Sequence, residues 1–187
     1  MPRLHVCSLA RIDEVVEATG AGSMVTLLGP GTPVVRPGPI ALERHLHIEM
    51  HDIVEDSPGH VLPGAAHLDA LIAFVHGWDR RTPMLIHCFA GISRSTASAY
   101  IAACLLAPHR DEREIARALR AASPTATPNS RFVALADAAL GRSGRMREAI
   151  ASIGRGAECF EGEPFALEIS PPLPLFAGEG WGEGRRA

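Results

Sequence analysis

The sequence predicts a single α/β domain: a mainly parallel central sheet flanked by helices, with a helical C-terminal half. Three observations predict it. In the first half of the chain, short apolar runs alternate with stretches of helical spacing. In the second half only helical patterns follow. The chain has 187 residues, 47% of them hydrophobic, which suits one core and is too short for two comfortable domains.

The elements can be justified in order. "RLHVCSL" reads as a strand, and "ARIDEVVEATG" as a helix closed by Gly20. "SMVTLLG" is an apolar strand ended by Gly29. "PGTPVVRPGP" holds too much proline for regular structure and reads as a loop. In "RHLHIEMHD", Leu46, Ile48 and Met50 alternate with His45, His47, Glu49 and His51, so period two predicts a strand. "IVEDSPGHVLPG" reads as a loop and "AAHLDALIAFVHGW" as a helix that carries Trp78 into the core. "TPMLIHC" is a compact strand with both faces buried. "SRSTASAYIAACLLA" is a small-residue helix suited to close packing. "DEREIARALRAA" is amphipathic, "SPTATPN" breaks the chain, and "SRFVALADAALG" and "RMREAIASIG" are two further helices.

Residues 1–156 are expected to form the domain. Residues 157–187 read as a Pro- and Gly-rich tail without periodicity, poorly ordered, in which "SPPLPLF" has the composition of a polyproline ligand. No internal repeat stands out.

Composition excludes several classes. Net charge is −3 and no basic stripe is present, so nucleic acid is not an expected partner. All 18 basic residues are arginine, which with abundant Ala, Gly and Pro reads as GC-rich, bacterial coding. No apolar stretch reaches about 18 residues, and the start turns charged too early for a signal peptide, so a cytoplasmic location is expected and no membrane. Cys7, Cys88, Cys104 and Cys159 form no C-x-x-C pair and read as free thiols; Cys7 and Cys104 fall in apolar elements and read as core. His45, His47 and His51 lie along one strand face in the manner of some metal ligands, yet a polar strand face explains them better, and no metal or cofactor is expected.

The chemistry concentrates in "HCFAGISRS", residues 87–95. A buried strand delivers Cys88 to the C-terminal edge of the sheet, where open α/β sheets bind ligands. A loop follows, and a helix starts near Ser93. The N–H groups of Phe89, Ala90, Gly91, Ile92, Ser93 and Arg94 can converge into an anion-binding nest, and the helix N-terminus adds its positive end. Gly91 supplies the backbone freedom such a loop requires. The planar fork of Arg94 can hold two phosphate oxygens at once. The same field favours a thiolate at Cys88 as nucleophile. His87 would orient the loop and favour the thiolate, and Ser95 could donate a hydrogen bond to the sulfur when it is expelled.

These residues match the H-C-x-x-G-x-x-R-[ST] signature at every fixed position, and the chain over about residues 4–142 resembles the cysteine-based protein tyrosine phosphatases. It is most similar to their small dual-specificity-like subgroup, in a compact bacterial form. "TPNSRFVALAD", with Pro128-Asn129 before an aromatic, resembles that subgroup's later helix start. The resemblance implies a metal-free reaction in which Cys88 attacks, Arg94 binds the transferring phosphoryl group, and water hydrolyses a cysteinyl-phosphate. It also implies a general-acid aspartate on an upstream loop. Asp52, 36 positions before Cys88, directly ends a strand and is preferred; Asp56, 32 positions before, fits the commoner family spacing and stays open. None of Phe89, Ala90, Ile92 and Ser93 is basic, which tilts the expected substrate towards phosphoprotein, phosphotyrosine first and phosphoserine or phosphothreonine second. A phosphoinositide or other phosphate ester, and a phospho-ligand-binding module of weak activity, are the alternatives.

Overall fold

The computed structural model describes residues 3–169. The chain runs through β1 (Arg3–Ser8), α1 (Ile12–Thr19), β2 (Ser23–Leu28), β3 (His45–Glu49), α2 (Ala65–Gly77), β4 (Met84–Cys88), α3 (Arg94–Leu106), α4 (Glu112–Ala122), α5 (Ser130–Ala139), α6 (Arg145–Ile153) and β5 (Phe165–Glu168). The strands form one sheet in the order β3-β2-β4-β1-β5. The first four are mutually parallel, and β5 adds antiparallel to β1. This is the expected α/β architecture, with helices alone between β4 and β5.

The position of β4 sets up everything else. It is the middle strand, all five of its residues are buried, and its last residue, Cys88, stands level with Ser8 of β1 and Leu27 of β2. A strand paired on both sides cannot shift register without moving both neighbours. Its C-terminal end is therefore firmly fixed at that edge of the sheet.

The two faces are unequal. Leu4, Val6, Val25, Leu27, Ile48 and Ile86 face the large core beneath α2–α6. Cys7, Met24 and Leu85 point to the opposite face, into a smaller cluster with Ile12, Val15 and Val16 of α1 and with Ile40. The central helix, α3, is buried from Arg94 to Cys104. Its run of Ala, Ser and Thr explains why: small side chains let α3 lie close against the sheet while other helices cover it. Tyr100 is the large exception, and its hydroxyl donates to the carbonyls of Glu112 (3.2 Å) and Met146 (3.4 Å).

Local signals end the elements where the sequence places them. Gly20 closes α1 with φ of 66°, and the Asp111 carboxylate caps α4 by accepting from the amides of Arg113 and Glu114. Asp137 reaches from α5 to the start of α6, accepting from the amides of Gly144 (2.7 Å) and Met146 (2.8 Å). A buried carboxylate thus substitutes for the cap that Gly144 lacks.

The segment that the sequence places in a tail from residue 157 behaves differently as far as residue 169. It returns across the sheet edge and supplies β5, with Phe165 opposite Val6 and Leu167 opposite Leu4. Leu167 and Ile169 are buried in the main core. Four residues are too short for a pattern to stand out, and the flanking Gly and Pro mask it. Residues 170–187 of the expected tail, "SPPLPLF" among them, lie outside the described residues. If β5 belongs to the cooperative unit, Leu167→Ala removes a fully buried side chain and lowers unfolding free energy by about 2–3 kcal/mol. Urea denaturation measures this; an unchanged midpoint would mean that the segment packs loosely.

Candidate active site

Cys88 is 2% exposed, and its Sγ lies 3.1 Å from Ser95 Oγ in the first turn of α3. Residues 89–93 bridge strand and helix in five residues. The loop can be this tight because Gly91 adopts φ of 73° and passes directly over β1. A Cβ at Gly91 would sit 2.9 Å from both the carbonyl carbon of Cys7 and the nitrogen of Ser8, which are backbone atoms with no freedom to yield. Both conformation and space therefore require glycine.

The loop's carbonyls are tied to its surroundings. The Phe89 carbonyl accepts from the Leu9 amide (3.1 Å), and that of Ala90 accepts from the Gly162 amide (2.9 Å). The Ile92 carbonyl accepts from the Thr127 amide (2.9 Å) and the Thr96 hydroxyl (2.5 Å). The Ser93 carbonyl accepts from the amides of Ala97 (2.9 Å) and Asn129 (3.3 Å). Three separate segments brace the outside of the ring. Among the described residues, the N–H groups of Phe89 through Arg94 donate to no protein acceptor. Outward carbonyls with free amides are the arrangement that receives an anion.

Arg94 sits at the junction of this loop and α3, 8% exposed. Its Nη1 donates to the Met50 carbonyl (2.9 Å) at the end of β3, while its buried Nε has no partner. A buried guanidinium donor left free is costly unless a ligand takes it. The arginine is aligned by a neutral carbonyl, and among the described residues it forms no ion pair with a carboxylate.

The two aspartates separate clearly. Asp52 Oδ1 accepts from Ser93 Oγ (2.7 Å) and from Asn129 Nδ2 (2.9 Å), which also donates to the Ile53 carbonyl (3.3 Å). Asn129 Oδ1 in turn caps α5 by accepting from the Phe132 amide (3.0 Å). One side chain thus fastens the Asp52 loop to a helix start. Asp56 is exposed further along the same loop and makes no hydrogen bond among the described residues. Sequence reasoning used Asn129 only as part of a resemblance; its position before the first turn of α5 was the available signal of a cap, and nothing in the sequence indicated its second bond.

His87 is fully buried on the face opposite the Cys88 thiol. Its Nε2 lies 2.6 Å from Thr26 Oγ1. Burial pushes its pKa down to about 4, with the backbone of Cys88 acting the other way. The ring is neutral near pH 7, so it acts on the loop through orientation and hydrogen bonding rather than through charge. Cys7 is register partner to His87, on that same face, and burial pushes its thiol up to about 12. It is thereby separated from Cys88 by the sheet. Of the strand histidines, His45 bonds Thr26 (2.8 Å), His51 Nδ1 accepts from the Val61 amide (2.8 Å), and His47 is exposed. No group of three or more His, Cys, Asp or Glu side chains is placed to hold a metal among the described residues.

The sheet order and the tight joint from β4 to α3 give the chain the fold of solved tyrosine and dual-specificity phosphatases. Among solved structures, human DUSP28 is similar at 19% identity over 80% of this chain and 94% of its own, with a TM-score of 0.56. DUSP15 is similar at 22% identity over 81% and 92%, with a TM-score of 0.55. The Cydia pomonella PTP-2 phosphatase follows at 20% identity over 72% and 84%, with a TM-score of 0.53. No family model matches the chain, and no curated protein matches it by sequence.

Two outcomes test this geometry without turnover. Arg94→Lys keeps the charge but loses the planar fork, and inorganic phosphate should bind at least about tenfold more weakly by titration calorimetry. Equal affinity would place the anion elsewhere. Stability should also fall as the pH drops from about 6.5 through 4. In that window the unfolded histidine takes up a proton that buried His87 refuses, and the difference amounts to about 3 kcal/mol. Denaturation of wild type and His87→Gln across that window isolates the contribution, because the variant should lack it.

Proposed function

We propose that the protein is a phosphoprotein phosphatase that hydrolyses phosphotyrosine, and secondarily phosphoserine or phosphothreonine, through a cysteinyl-phosphate. The observation that carries the reading is the ring of free amides between a buried thiol and a buried, partly unpartnered arginine. Phosphate oxygens would bind the amides of residues 89–94 and the guanidinium of Arg94. In-line attack by the Cys88 thiolate forms an S–P bond as the ester P–O bond breaks. Asp52 gives its proton to the departing oxygen. Water then attacks phosphorus, Asp52 takes a proton from it, the S–P bond breaks, and inorganic phosphate leaves. The Ser95 hydroxyl, 3.1 Å from the sulfur, stabilises the expelled thiolate by donating to it.

Asp52 is favoured over Asp56 because its carboxylate lies beside the nucleophile loop, on Ser93. A general acid held within reach contributes about 10²- to 10⁴-fold. Substrate preference is supported by the lip of the site. Phe89 is 59% exposed and Phe160 92% exposed, and with Leu9, Ala10, Ala90 and Glu161 they line a mostly apolar groove of about 350 Å³ beside the loop. An aromatic ester with apolar neighbours suits that wall better than a polyphosphorylated headgroup, since no loop side chain between Cys88 and Arg94 is basic. No described helix is long and apolar enough to cross a membrane. Free thiols at all four cysteines suit a reducing cytoplasm.

The assay is hydrolysis of a phosphotyrosine peptide, with phosphoserine peptides and phosphoinositides alongside. Cys88→Ser should abolish turnover while still binding phosphate. Asp52→Asn should lower kcat for the phosphotyrosine peptide by about 10²- to 10⁴-fold, with a smaller loss for para-nitrophenyl phosphate, whose leaving group needs less protonation. Turnover by Cys88→Ser at the wild-type rate would overturn the mechanism. A loss confined to Asp56→Asn would reassign the acid, and preferred hydrolysis of phosphoinositides would reassign the substrate.

A further inference from the structure

The three histidines that alternate along "RHLHIEMHD" part company at the end of β3. His45 and His47 stay in the sheet, level with Met24 and Thr26 of β2. His51 lies past the strand, part-buried, and opens the loop that carries Asp52. Its ring Nδ1 accepts from the Val61 amide (2.8 Å), and its own amide donates to the Val61 carbonyl (2.8 Å). Opposed residues of an antiparallel pair close with two backbone bonds. Here the ring nitrogen replaces the His51 carbonyl as the second acceptor. A backbone N–H can only donate, so Nδ1 carries no proton in this bond and the ring proton sits on Nε2.

The pair closes a loop of nine residues, 52–60. Within it, the Ser57 carbonyl accepts from the His60 amide (3.0 Å). The His60 ring meets the His51 ring edge-on, with centroids 4.6 Å apart and planes at 72°. On its other side the His51 ring lies against Gly29, just after β2. A Cβ at Gly29 would come within 3.3 Å of His51 Cδ2 and 3.4 Å of Nε2. Glycine there leaves room for the ring, which is held between a strand end and the loop it closes. Asp52 thus stands between two fastened residues. His51 is tied to Val61, and the Ile53 carbonyl accepts from Asn129 Nδ2 (3.3 Å).

We propose that His51 is a positioning residue for Asp52: its ring closes the base of the loop on Val61 and so fixes the direction from which Asp52 meets the departing oxygen. Ser93 and Asn129 both donate to one carboxylate oxygen, Oδ1. Bonds to a single atom leave the carboxyl group free to pivot about it. The His51 clamp removes that freedom from the backbone side. Oδ2, which has no hydrogen-bond partner among the described residues, is the oxygen left to carry the proton. His51 acts through Asp52 rather than on the phosphate or the thiol. The inference rests on the phosphatase reading for its kinetic consequences; the clamp itself does not depend on it.

The test uses the full chain and two readouts, amide exchange at Val61 by NMR and turnover of two esters. His51→Leu removes the acceptor, and His51→Gln holds its acceptor one bond too far out. In both, the Val61 amide should exchange at least about tenfold faster than in wild type. For a phosphotyrosine peptide, kcat should fall by about tenfold with KM little changed. For para-nitrophenyl phosphate, whose leaving group needs less protonation, kcat should hardly move. His51→Asn places an oxygen where Nδ1 stood and should restore both readouts. The polar His51→Gln variant decides the matter if His51→Leu fails to fold. Unchanged exchange at Val61, equal losses for the two esters, or no rescue by His51→Asn overturns the proposal. Absence of turnover in wild type would sink the phosphatase reading instead, leaving the exchange at Val61 to judge the clamp.

Discussion

The structure depends on how the short chain between Cys88 and Arg94 spends its carbonyls. Each peptide has an oxygen and an N–H directed roughly oppositely, and a buried loop must satisfy both. Here Leu9 just after β1, the Thr127–Asn129 stretch and the returning segment at Gly162 satisfy the oxygens of Phe89, Ala90, Ile92 and Ser93 from outside. The amides are thereby left for whatever occupies the centre. The constraint reaches far along the chain, because three distant segments must arrive in place for one loop of five residues to hold its shape. It also explains the closeness of Gly91 to β1, since any side chain there would push the loop off its supports.

Electrostatic choices follow the same logic. Arg94 is steered by the carbonyl of Met50 rather than by a carboxylate, which keeps its full charge available to an anion. Asp52 is held by two neutral donors, Ser93 and Asn129, rather than by the guanidinium. Direct pairing of Asp52 with Arg94 would neutralise both. The neutral partners keep apart two groups that have separate parts in the proposed chemistry. His87 contributes no charge, so the positive field at the thiol comes from the guanidinium and the oriented amides.

Much of this was legible in the sequence. β1 to β4 and all six helices follow apolar spacing, because each buries one face or both against a single core. The joint between β4 and α3 was legible because Cys88, Gly91, Arg94 and Ser95 fall at fixed separations where an apolar run gives way to helical spacing. What was not legible has a common cause. β5 has only four residues, and its pairing with β1 is decided by tertiary contact. The second bond of Asn129, the carbonyl of Met50 and the hydroxyl of Thr26 act across long sequence separations, and a linear pattern does not register them. The choice between Asp52 and Asp56 is of the same kind. Spacing alone leaves both open, while the hydrogen bonds from Ser93 and Asn129 single out one.

The return of the chain at Gly162 and β5 has a consequence for how the protein is made. Residues close to 160 hold Ala90 in place, bond the Ser8 hydroxyl through Glu161, and cover the free side of β1. Synthesis delivers them long after Cys88 and Arg94 have left the ribosome. The nascent chain therefore carries Cys88 for some time before the loop around it is braced. Contacts that join residues about 150 positions apart are also the slowest to form, since the longest loop must close. The finished geometry of the loop around Cys88 is thus a late product of folding, complete only once the returning segment has docked.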